Sequence, residues 1–389
     1  MVSKENVKEN IEAFKKERQK KWREWAKPRY PRAYEMFRKL PLAKRKIFFE
    51  SMSTRSFNDN PKAIYEELVR RNLRYKLVWG LKDKTTDIGK GGIVVPYPSF
   101  RYYYHMATAH WIVSNMNQYQ VVKRPGQIMV QTMHGIPLKH MGLKIAKRPE
   151  RIAEQKRLSQ EYWDYFVTPC DYLSDIVRGD SYLFRGTLIE AGYPRNDVLV
   201  NNADNAQLRD RVRKSLGIPE GKRMILYAPT WRTKKSFNLK LDLKRCKEAL
   251  GDDAVIVLRA HYLESRHVKK KVYNDFVING HTYANVNDML LAADMLITDY
   301  SSMMFDYALL KRPIILYTWD YERYVNKSRG TYFDLKTDYP DLIAMTTEEV
   351  IEKAQHPEQL MDAVTAMNAR FCQYDTGHAA ATVVDTLWS

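Results

Sequence analysis

Four short stretches of the sequence carry side chains that could act on a phosphorylated ligand. They are QTMHGIPLK with His134, Gly135 and Lys139; YAPTWR with Thr230 and Arg232; LRAHY with Arg259 and His261; and TDYSSMMFD with Asp299, Ser301, Ser302 and Asp306. Histidine titrates near neutral pH and can take a proton from an attacking hydroxyl. Arginine offers phosphate a charged fork, and serines at a helix start lie beside free N–H groups. These residue types indicate chemistry at a phosphate.

Each stretch also has a structural interpretation. Ser301 could serve only as a helix N-cap. His134 could be a packed or capping histidine, and Arg259 a surface arginine beside a structural His261. Asp306 could be a solvated helix residue, or Asp299 and Asp306 could bind ribose hydroxyls. Taken singly, none of the four stretches decides between these alternatives.

The fourth stretch lies in a predicted strand–turn–helix–strand unit. Met295–Thr298 is an apolar run of strand length, Met303–Leu310 has apolar residues at helical spacing, and Pro313–Leu316 begins another strand. The turn of such a unit lies at the carboxyl edge of a parallel sheet, where open α/β folds bind ligands. The other three stretches also follow predicted strands. We therefore expect the four turns to converge on one site.

Strands and helices alternate along most of the chain, which predicts parallel sheets covered by helices. The alternation breaks at the turn-rich stretch Gly192–Asp197, which we interpret as a link between domains. The prediction is an α/β fold of the GT-B type, with two Rossmann-like domains facing across a cleft. The domains are residues 44–192 and 193–389, preceded by a basic amphipathic helical arm at residues 1–43.

The chain carries a formal charge of +18, which calls for an anionic partner. Residues 1–46 hold 16 Lys and Arg against 6 Glu. Apolar residues recur at helical spacing between these charges: Val7, Ile11, Phe14, Trp22 and Trp25. Such a helix suits an anionic membrane surface, or it could pack against its own protein. No zinc-finger spacing or aromatic-rich sheet motif supports nucleic acid binding.

Several classes of protein lack support in the sequence. The phosphate-binding P-loop, the G-x-G-x-x-G dinucleotide motif and the G-x-S-x-G motif of α/β-hydrolases are all absent. Cys170, Cys246 and Cys372 fit no disulfide or metal spacing, so we expect no structural metal and a reducing compartment. No apolar run reaches transmembrane length. The N-terminus lacks the apolar region of a signal peptide, so we expect a cytoplasmic protein.

Taken together, the motifs resemble the CDP-glycerol glycerophosphotransferase family, which includes teichoic acid primases and polymerases. The matching text is QTMHGIPLKHMG, YAPTWR, LRAHY, and ITDYSSMMFDYALLKRPIILY followed by YERYVNKSRGTYFDL. The resemblance covers roughly residue 44 to the C-terminus. It implies transfer of glycerol phosphate from CDP-glycerol to an undecaprenyl-diphosphate-linked acceptor at the cytoplasmic face of the membrane, with release of CMP. No cofactor is required, although a divalent cation can assist.

The resemblance also implies roles for individual residues. His134 matches the histidine proposed as base, and His261 matches a second essential histidine near the donor diphosphate. Phosphate contacts fall to Arg259, Thr230, Arg232, Ser301 and Ser302, and ribose or nucleotide contacts to Asp306 and Asp299. Gly135 and Lys139 lie on the acceptor side.

One residue departs from the family pattern, because Met133 stands where a bulky aromatic is expected before His-Gly. This puts the shape of the acceptor pocket in question. A chain with one catalytic unit slightly favours a primase over a polymerase. A transferase using CDP-ribitol or another nucleotide-activated donor, for example in capsule synthesis, is the nearest alternative. A basic nucleic-acid-binding protein and a catalytically silent membrane scaffold are more distant alternatives.

Overall fold

The computed structural model describes residues 25–118, 122–230, 232, 239–260, 268–327 and 330–389. Contacts between Cα atoms divide the chain into two compact units. The first unit comprises Met1–Met133 with Tyr162–Phe166, and the second comprises His134–Glu161 with Val167–Ser389. The predicted arm residues 1–24 and the predicted catalytic residue His261 lie outside the described residues.

The first sheet has seven strands in the order β3-β2-β1-β4-β5-β6-β7. Its strands are β1 (Ala43–Glu50), β2 (Lys76–Leu81), β3 (Gly92–Pro96), β4 (Ala109–Ser114), β5 (Ile128–Gln131), β6 (Trp163–Thr168) and β7 (Thr187–Glu190). The pairings among β1 to β6 are parallel. Large rings fill the core beside the central strand, where Phe49 stacks on Trp79 and meets Tyr65 edge to face. Burial of these rings is a main source of stability for this sheet.

Three helices belong to the first unit: α1 (Tyr30–Phe37), α2 (Asp59–Arg70) and α3 (Phe100–Thr108). Helix α1 packs on α3, with the Tyr30 ring 5.1 Å from Phe100 and the Tyr34 ring 5.9 Å from Tyr103. Burial raises the pKa of Tyr34 to about 12, although a hydrogen bond to the Val122 carbonyl lowers it. The described part of the predicted arm is therefore helical beyond Pro28 and packs partly against its own protein.

The second sheet has six strands in the order β10-β9-β8-β11-β12-β13, and all its pairings are parallel. Its strands are β8 (Arg223–Tyr227), β9 (Ala254–Leu258), β10 (Val277–Asn279), β11 (Met295–Thr298), β12 (Ile314–Tyr317) and β13 (Ile343–Ala344). Every residue of β9, β11 and β12 is buried. Strands buried on both faces need helices on both sides, which explains why these segments read as continuous apolar runs.

The remaining α-helices of the described chain belong to the second unit. They are α4 (Pro149–Lys156), α5 (Asp171–Arg178), α6 (Asp197–Asn201), α7 (Ala206–Leu216), α8 (Leu243–Leu250), α9 (Val286–Ala292), α10 (Met303–Ala308), α11 (Tyr321–Lys327), α12 (Leu335–Asp338), α13 (Thr347–Gln355), α14 (Met361–Phe371) and α15 (Ala379–Trp388). Among the described helices, none combines the length and apolarity needed to cross a bilayer.

The order of the second sheet fixes where a ligand site can form. The chain starts in the centre at β8, moves outward through β9 and β10, and then returns to the other side of β8 with β11. The turns after β8 and β11 therefore leave the sheet in opposite directions at neighbouring positions. Such a reversal opens a crevice at the carboxyl ends of the strands. Thr230 and Ser301 lie in the two turns that flank it.

The predicted α/β fold with parallel sheets is confirmed. Strand Met295–Thr298 has the predicted bounds. Helix α10 ends two residues earlier than expected, at Ala308. The predicted domain boundary at 192/193 falls between the last strand of the first sheet and the first strand of the second. The cleft of the GT-B arrangement stays a prediction.

Candidate active site

The turns after β8 and β11 are joined by backbone and side-chain hydrogen bonds. The Ala228 N–H donates to the Ile297 carbonyl over 2.9 Å, and the Thr298 hydroxyl donates to the Ala228 carbonyl over 2.7 Å. These bonds continue the pairing of β8 with β11 past the ends of the strands. The polar residues that follow each strand are therefore held beside one another.

Asp299 is the buried centre of these two turns, with 4% of its side chain exposed. Its carboxylate accepts from the Thr230 N–H over 2.9 Å, from the Thr230 hydroxyl, and from the Tyr300 N–H over 2.7 Å. The Arg232 guanidinium also donates to it over 2.9 Å. Protein donors thus surround Asp299, and both donors of Thr230 point at it. These surroundings favour a structural role over the predicted donor contacts of the two residues.

Arg232 lies between two carboxylates rather than facing an open pocket. It bonds Asp320 through Nε and Nη2, each over 3.0 Å, in addition to its contact with Asp299. The guanidinium also lies 5.3 Å from the Tyr300 ring and 4.9 Å from the Tyr324 ring. Burial lowers the pKa of Arg232, but the two carboxylates outweigh it and raise the pKa above its usual range. Its predicted phosphate contact stays a prediction, and its charge is already compensated.

The serine turn lies at the start of α10. The Ser301 hydroxyl accepts from the Met303 N–H over 3.3 Å, but the N-cap residue is Ser302, whose side chain makes no capping bond, so the N-cap alternative for Ser301 was wrong. Ser302 lies against the His-Gly turn, because a Cβ atom built on Gly135 would lie 2.5 Å from the Ser302 hydroxyl oxygen. The first and fourth predicted stretches therefore touch one another, as expected from their positions after strands.

The segment from His134 to His140 is held on its other side by the chain around residue 331. The His140 N–H donates to the Gly330 carbonyl over 3.1 Å, and the Tyr332 N–H donates to the Leu138 carbonyl over 2.9 Å. The Lys139 ammonium lies 5.1 Å from the Tyr324 ring. This ring stacks on Tyr300 at 3.7 Å. The His-Gly segment, the β11 turn and α11 thus form one cluster.

The Asp306 carboxylate forms an ion pair with Arg195. The Arg195 Nη2 lies 2.9 Å and 2.8 Å from the two carboxylate oxygens, and Asn196 donates to the first of them over 3.1 Å. The Arg195 Nη1 donates to the His134 carbonyl over 2.6 Å. The predicted ribose contact of Asp306 stays a prediction, whereas its ion pair links α10 to the His134 backbone.

Arg259 follows β9 and is anchored at one end. Its Nη1 donates to the carbonyls of Gly280 and Tyr283 over 2.9 Å and 2.6 Å. Its Nε and Nη2 make no hydrogen bond to a described residue, and burial lowers its pKa. His281 lies close enough for this charge to act on it. Burial first, and Arg259 second, lower the pKa of His281.

A raised carboxyl pKa occurs next to the Arg195 cluster. Burial raises the pKa of Asp375 to about 7, a hydrogen bond from the Tyr193 N–H lowers it, and the negative charge of Asp306 raises it. The nearby Arg195 lowers it and Asp197 raises it. Asp375 therefore titrates near neutral pH beside the turn that carries Arg195.

Arg195, Asp320 and Tyr324 belong to this cluster, although sequence reasoning did not select them as site residues. Arg195 lies in the stretch interpreted as a link, yet it follows strand β7 just as the four selected turns follow strands. That shared position was the available signal. Among the described residues, no group of three or more His, Cys, Asp or Glu has a metal-binding arrangement.

The structural role of Asp299 can be tested by unfolding. We expect Asp299→Ala to lower the free energy of unfolding by about 3 kcal/mol, because it leaves Arg232 buried with half of its compensation removed. Glu248→Ala is the control, since Glu248 pairs with Lys244 on an exposed helix surface and should change stability little. Urea unfolding monitored by circular dichroism gives both values. Equal stability of the two variants would contradict the role assigned to Asp299.

Comparison with known proteins identifies the family. Residues 32–389 match the family model described as CDP-Glycerol:Poly(glycerophosphate) glycerophosphotransferase. A teichoic acid glycerol-phosphate transferase of Staphylococcus aureus is 32% identical over 376 residues, which are 91% of this chain and 95% of that protein. A teichoic acid poly(glycerol phosphate) polymerase of Staphylococcus epidermidis is 34% identical over 360 residues, covering 88% of this chain but only 50% of that protein.

A solved structure agrees with these relatives. A variant of the wall teichoic acid polymerase TagF soaked with CDPG superposes with a TM-score of 0.84 at 31% identity, over 97% of both chains. Both named relatives are teichoic acid enzymes, and the family model covers nearly the whole chain. The chain therefore belongs to the CDP-glycerol:poly(glycerophosphate) glycerophosphotransferase family, as its motifs predicted.

Proposed function

We propose that this chain transfers glycerol phosphate from CDP-glycerol to a hydroxyl of an undecaprenyl-diphosphate-linked acceptor and releases CMP. The observation that carries the proposal is the packing of Gly135 against Ser302, which brings a histidine turn to the start of a helix at the reversal of the second sheet. Family membership and the teichoic acid relatives support the donor class and the polymer. The relative soaked with CDPG supports a cytidine donor.

His134 is the base in the proposed reaction. The acceptor hydroxyl loses its proton to the imidazole as its oxygen attacks the β-phosphorus of CDP-glycerol. A new P–O bond forms there, while the bond from that phosphorus to the bridging oxygen breaks and CMP leaves with the electron pair. A neutral imidazole nitrogen can accept the proton in this step.

Charge that builds on the departing CMP needs positive or N–H groups around it. We assign this task to Ser301 and Ser302 with the N–H groups at the start of α10, and to Arg259. His261 joins them by its place in the matching motif. Arg232 and Thr230 act mainly by holding Asp299, which shapes the turn that the serines follow. The proposed route needs no metal, and measuring CMP release with and without Mg²⁺ would detect assistance by a divalent ion.

The length of the product distinguishes a primase from a polymerase, and the proposal slightly favours the primase. The names of the relatives include both a transferase and polymerases. The donor alternative within the same fold is CDP-ribitol or another activated nucleotide. Both questions are decided by analysing products rather than by the site described above.

The full chain should release CMP from CDP-glycerol in the presence of a lipid-linked disaccharide. His134→Ala should lower this rate by about 100-fold or more, because the general base is lost. Mass analysis should show one added unit on the unprimed acceptor for a primase, and a ladder on a glycerol-phosphate-primed acceptor for a polymerase. A folded His134→Ala variant with wild-type turnover would remove the histidine from the mechanism.

We also propose that the first unit binds the cytoplasmic face of an anionic membrane. Trp25, Met36 and Leu40 are exposed at 51%, 65% and 40%, although they flank the buried Tyr30 and Tyr34. Exposed cations lie between them in sequence: Lys27, Arg29, Arg32 and Lys39. Apolar side chains that penetrate the interface beside Lys and Arg that meet anionic head groups are typical of peripheral membrane binding.

This surface can be tested without disturbing its packing. Trp25→Ser/Met36→Ser/Leu40→Ser should weaken binding to phosphatidylglycerol vesicles by about tenfold or more, since each side chain contributes on the order of 1 kcal/mol. Ile93→Ser/Leu183→Ser is the control, because these apolar residues are exposed elsewhere. Co-sedimentation measures both variants. Loss of binding in the control alone would place the membrane surface elsewhere.

A further inference from the structure

We propose that Arg195 is a positioning residue that fixes the catalytic histidine His134, with Asp306 as its anchor. This inference rests on the proposed function, because it concerns the same site. Arg195 uses one amino group for the His134 carbonyl, over 2.6 Å, and the other for the Asp306 carboxylate, over 2.8 Å. A planar guanidinium is suited to holding two groups in a fixed relation. It thereby joins the His-Gly turn to the helix that begins at the serine turn.

The charge of Arg195 is compensated, which separates it from a phosphate ligand. Its side chain is 12% exposed and that of Asp306 is 14% exposed, so the ion pair is largely shielded from water. The Tyr193 ring lies 5.1 Å from the guanidinium carbon. A paired and shielded arginine has little free charge to offer a donor, whereas its fixed geometry can hold a backbone carbonyl.

Arg195 is itself fixed by neighbouring side chains. Asn196 donates to Asp306 over 3.1 Å, so the residue after Arg195 strengthens the same anchor. The Asn287 side chain donates to the Arg195 carbonyl over 2.8 Å. Main chain and side chain of Arg195 are therefore both held by partners from other elements. A bond to a buried charged partner is also stronger than one between neutral groups.

The C-terminal segment at residues 374–380 contacts the turn that carries Arg195 and holds it in place. The Asp375 carboxylate accepts from the Tyr193 N–H over 2.8 Å, and Asp197 accepts from the N–H groups of Ala379 and Ala380, each over 2.8 Å. Gly192 has a φ of +89°, and a Cβ atom there would lie 2.7 Å from the Tyr374 carbonyl oxygen. The C-terminal segment thus contributes to the site through Arg195, without supplying a residue to the reaction.

The chemical consequence is control over the direction of the His134 imidazole. A carbonyl held by a charged donor restricts rotation of the peptide on the carboxyl side of His134, and the side chain moves with that backbone. Misplacement of a catalytic group by about 1 Å can cost on the order of 100-fold in rate. Donor binding depends on other residues, so the Michaelis constant for CDP-glycerol should change little.

The test compares Arg195→Ala and Asp306→Asn with Arg245→Ala in the full chain. Arg245 also pairs with a carboxylate, that of Glu348, but both side chains are more than half exposed. We expect kcat to fall by about 30-fold or more in Arg195→Ala, with KM for CDP-glycerol within about threefold of wild type. Asp306→Asn should also lower kcat with little change in KM, but by a smaller factor. Arg195→Lys should retain more of the wild-type kcat than Arg195→Ala. Arg245→Ala should leave both constants unchanged.

Two outcomes would overturn the inference. A folded Arg195→Ala variant with wild-type kcat would show that His134 needs no such support. A raised donor KM at unchanged kcat in Asp306→Asn would instead assign Asp306 to the ribose contact predicted from sequence. If Arg195→Ala does not fold, the kcat and KM of Asp306→Asn decide between these outcomes.

An NMR measurement that needs no turnover can test the positioning role of Arg195 independently of the proposed function. The imidazole resonance of His134, assigned by its loss in His134→Ala, should shift in Arg195→Ala and stay in place in Arg245→Ala. If the wild-type chain releases no CMP yet this resonance shifts, the positioning role stands and the proposed donor is wrong. If the wild-type chain is active and the resonance does not move, the positioning role is wrong.

Discussion

The hydrogen bonds to the Asp299 carboxylate are the interaction on which the candidate site depends. This carboxylate accepts hydrogen bonds from the N–H and the hydroxyl of Thr230, in the turn after β8. It also accepts one from the Tyr300 N–H in its own turn after β11. The two turns leave neighbouring strands in opposite directions, so this common acceptor adds to the bonds between Ala228, Ile297 and Thr298 that hold them beside one another. Because the carboxylate is buried, each bond to it is strong, and loss of any partner leaves an uncompensated group.

Charge compensation within the same cluster decides which groups are left for a ligand. Arg232 is shared by Asp299 and Asp320, so this trio has a formal net charge of −1 and carries no spare positive charge. Arg195 is compensated by Asp306 in the same way. Of the arginines discussed for the described part of the site, Arg259 keeps Nε and Nη2 without a hydrogen bond to a described residue. We therefore propose that phosphate recognition depends on Arg259, the serine turn and the second histidine motif.

Much of the fold follows from the sequence because strand burial and helix periodicity are local signals. Strand β11 is apolar throughout because both of its faces are covered, and the helix after it has apolar residues at helical spacing. The position of the site also follows, since Thr230 and Ser301 come directly after strands that the sheet order places side by side. The contact of Gly135 with Ser302 agrees with the expected convergence of the turns.

The partners of the polar side chains did not follow from the sequence. Asp299, Thr230 and Arg232 were expected to face the donor, yet in the structure they bond to one another. Sequence position indicates that a residue lies near the site, but the choice between a ligand and a neighbouring side chain depends on three-dimensional distances. Arg195 was missed for the same reason, because its partners are 61 and 111 residues away along the chain.

The most direct test of the account is the affinity of the full chain for nucleotide donors in the absence of acceptor. Isothermal titration calorimetry can be run with CDP-glycerol, CDP-ribitol and UDP-N-acetylglucosamine. CDP-ribitol differs from CDP-glycerol only in the polyol, whereas UDP-N-acetylglucosamine differs in both the nucleotide and the group it carries. CDP-glycerol should bind most tightly, by about tenfold or more over the uridine donor, which corresponds to about 1.4 kcal/mol. Tighter binding of CDP-ribitol or of the uridine donor, or no binding of CDP-glycerol, would contradict the proposed function.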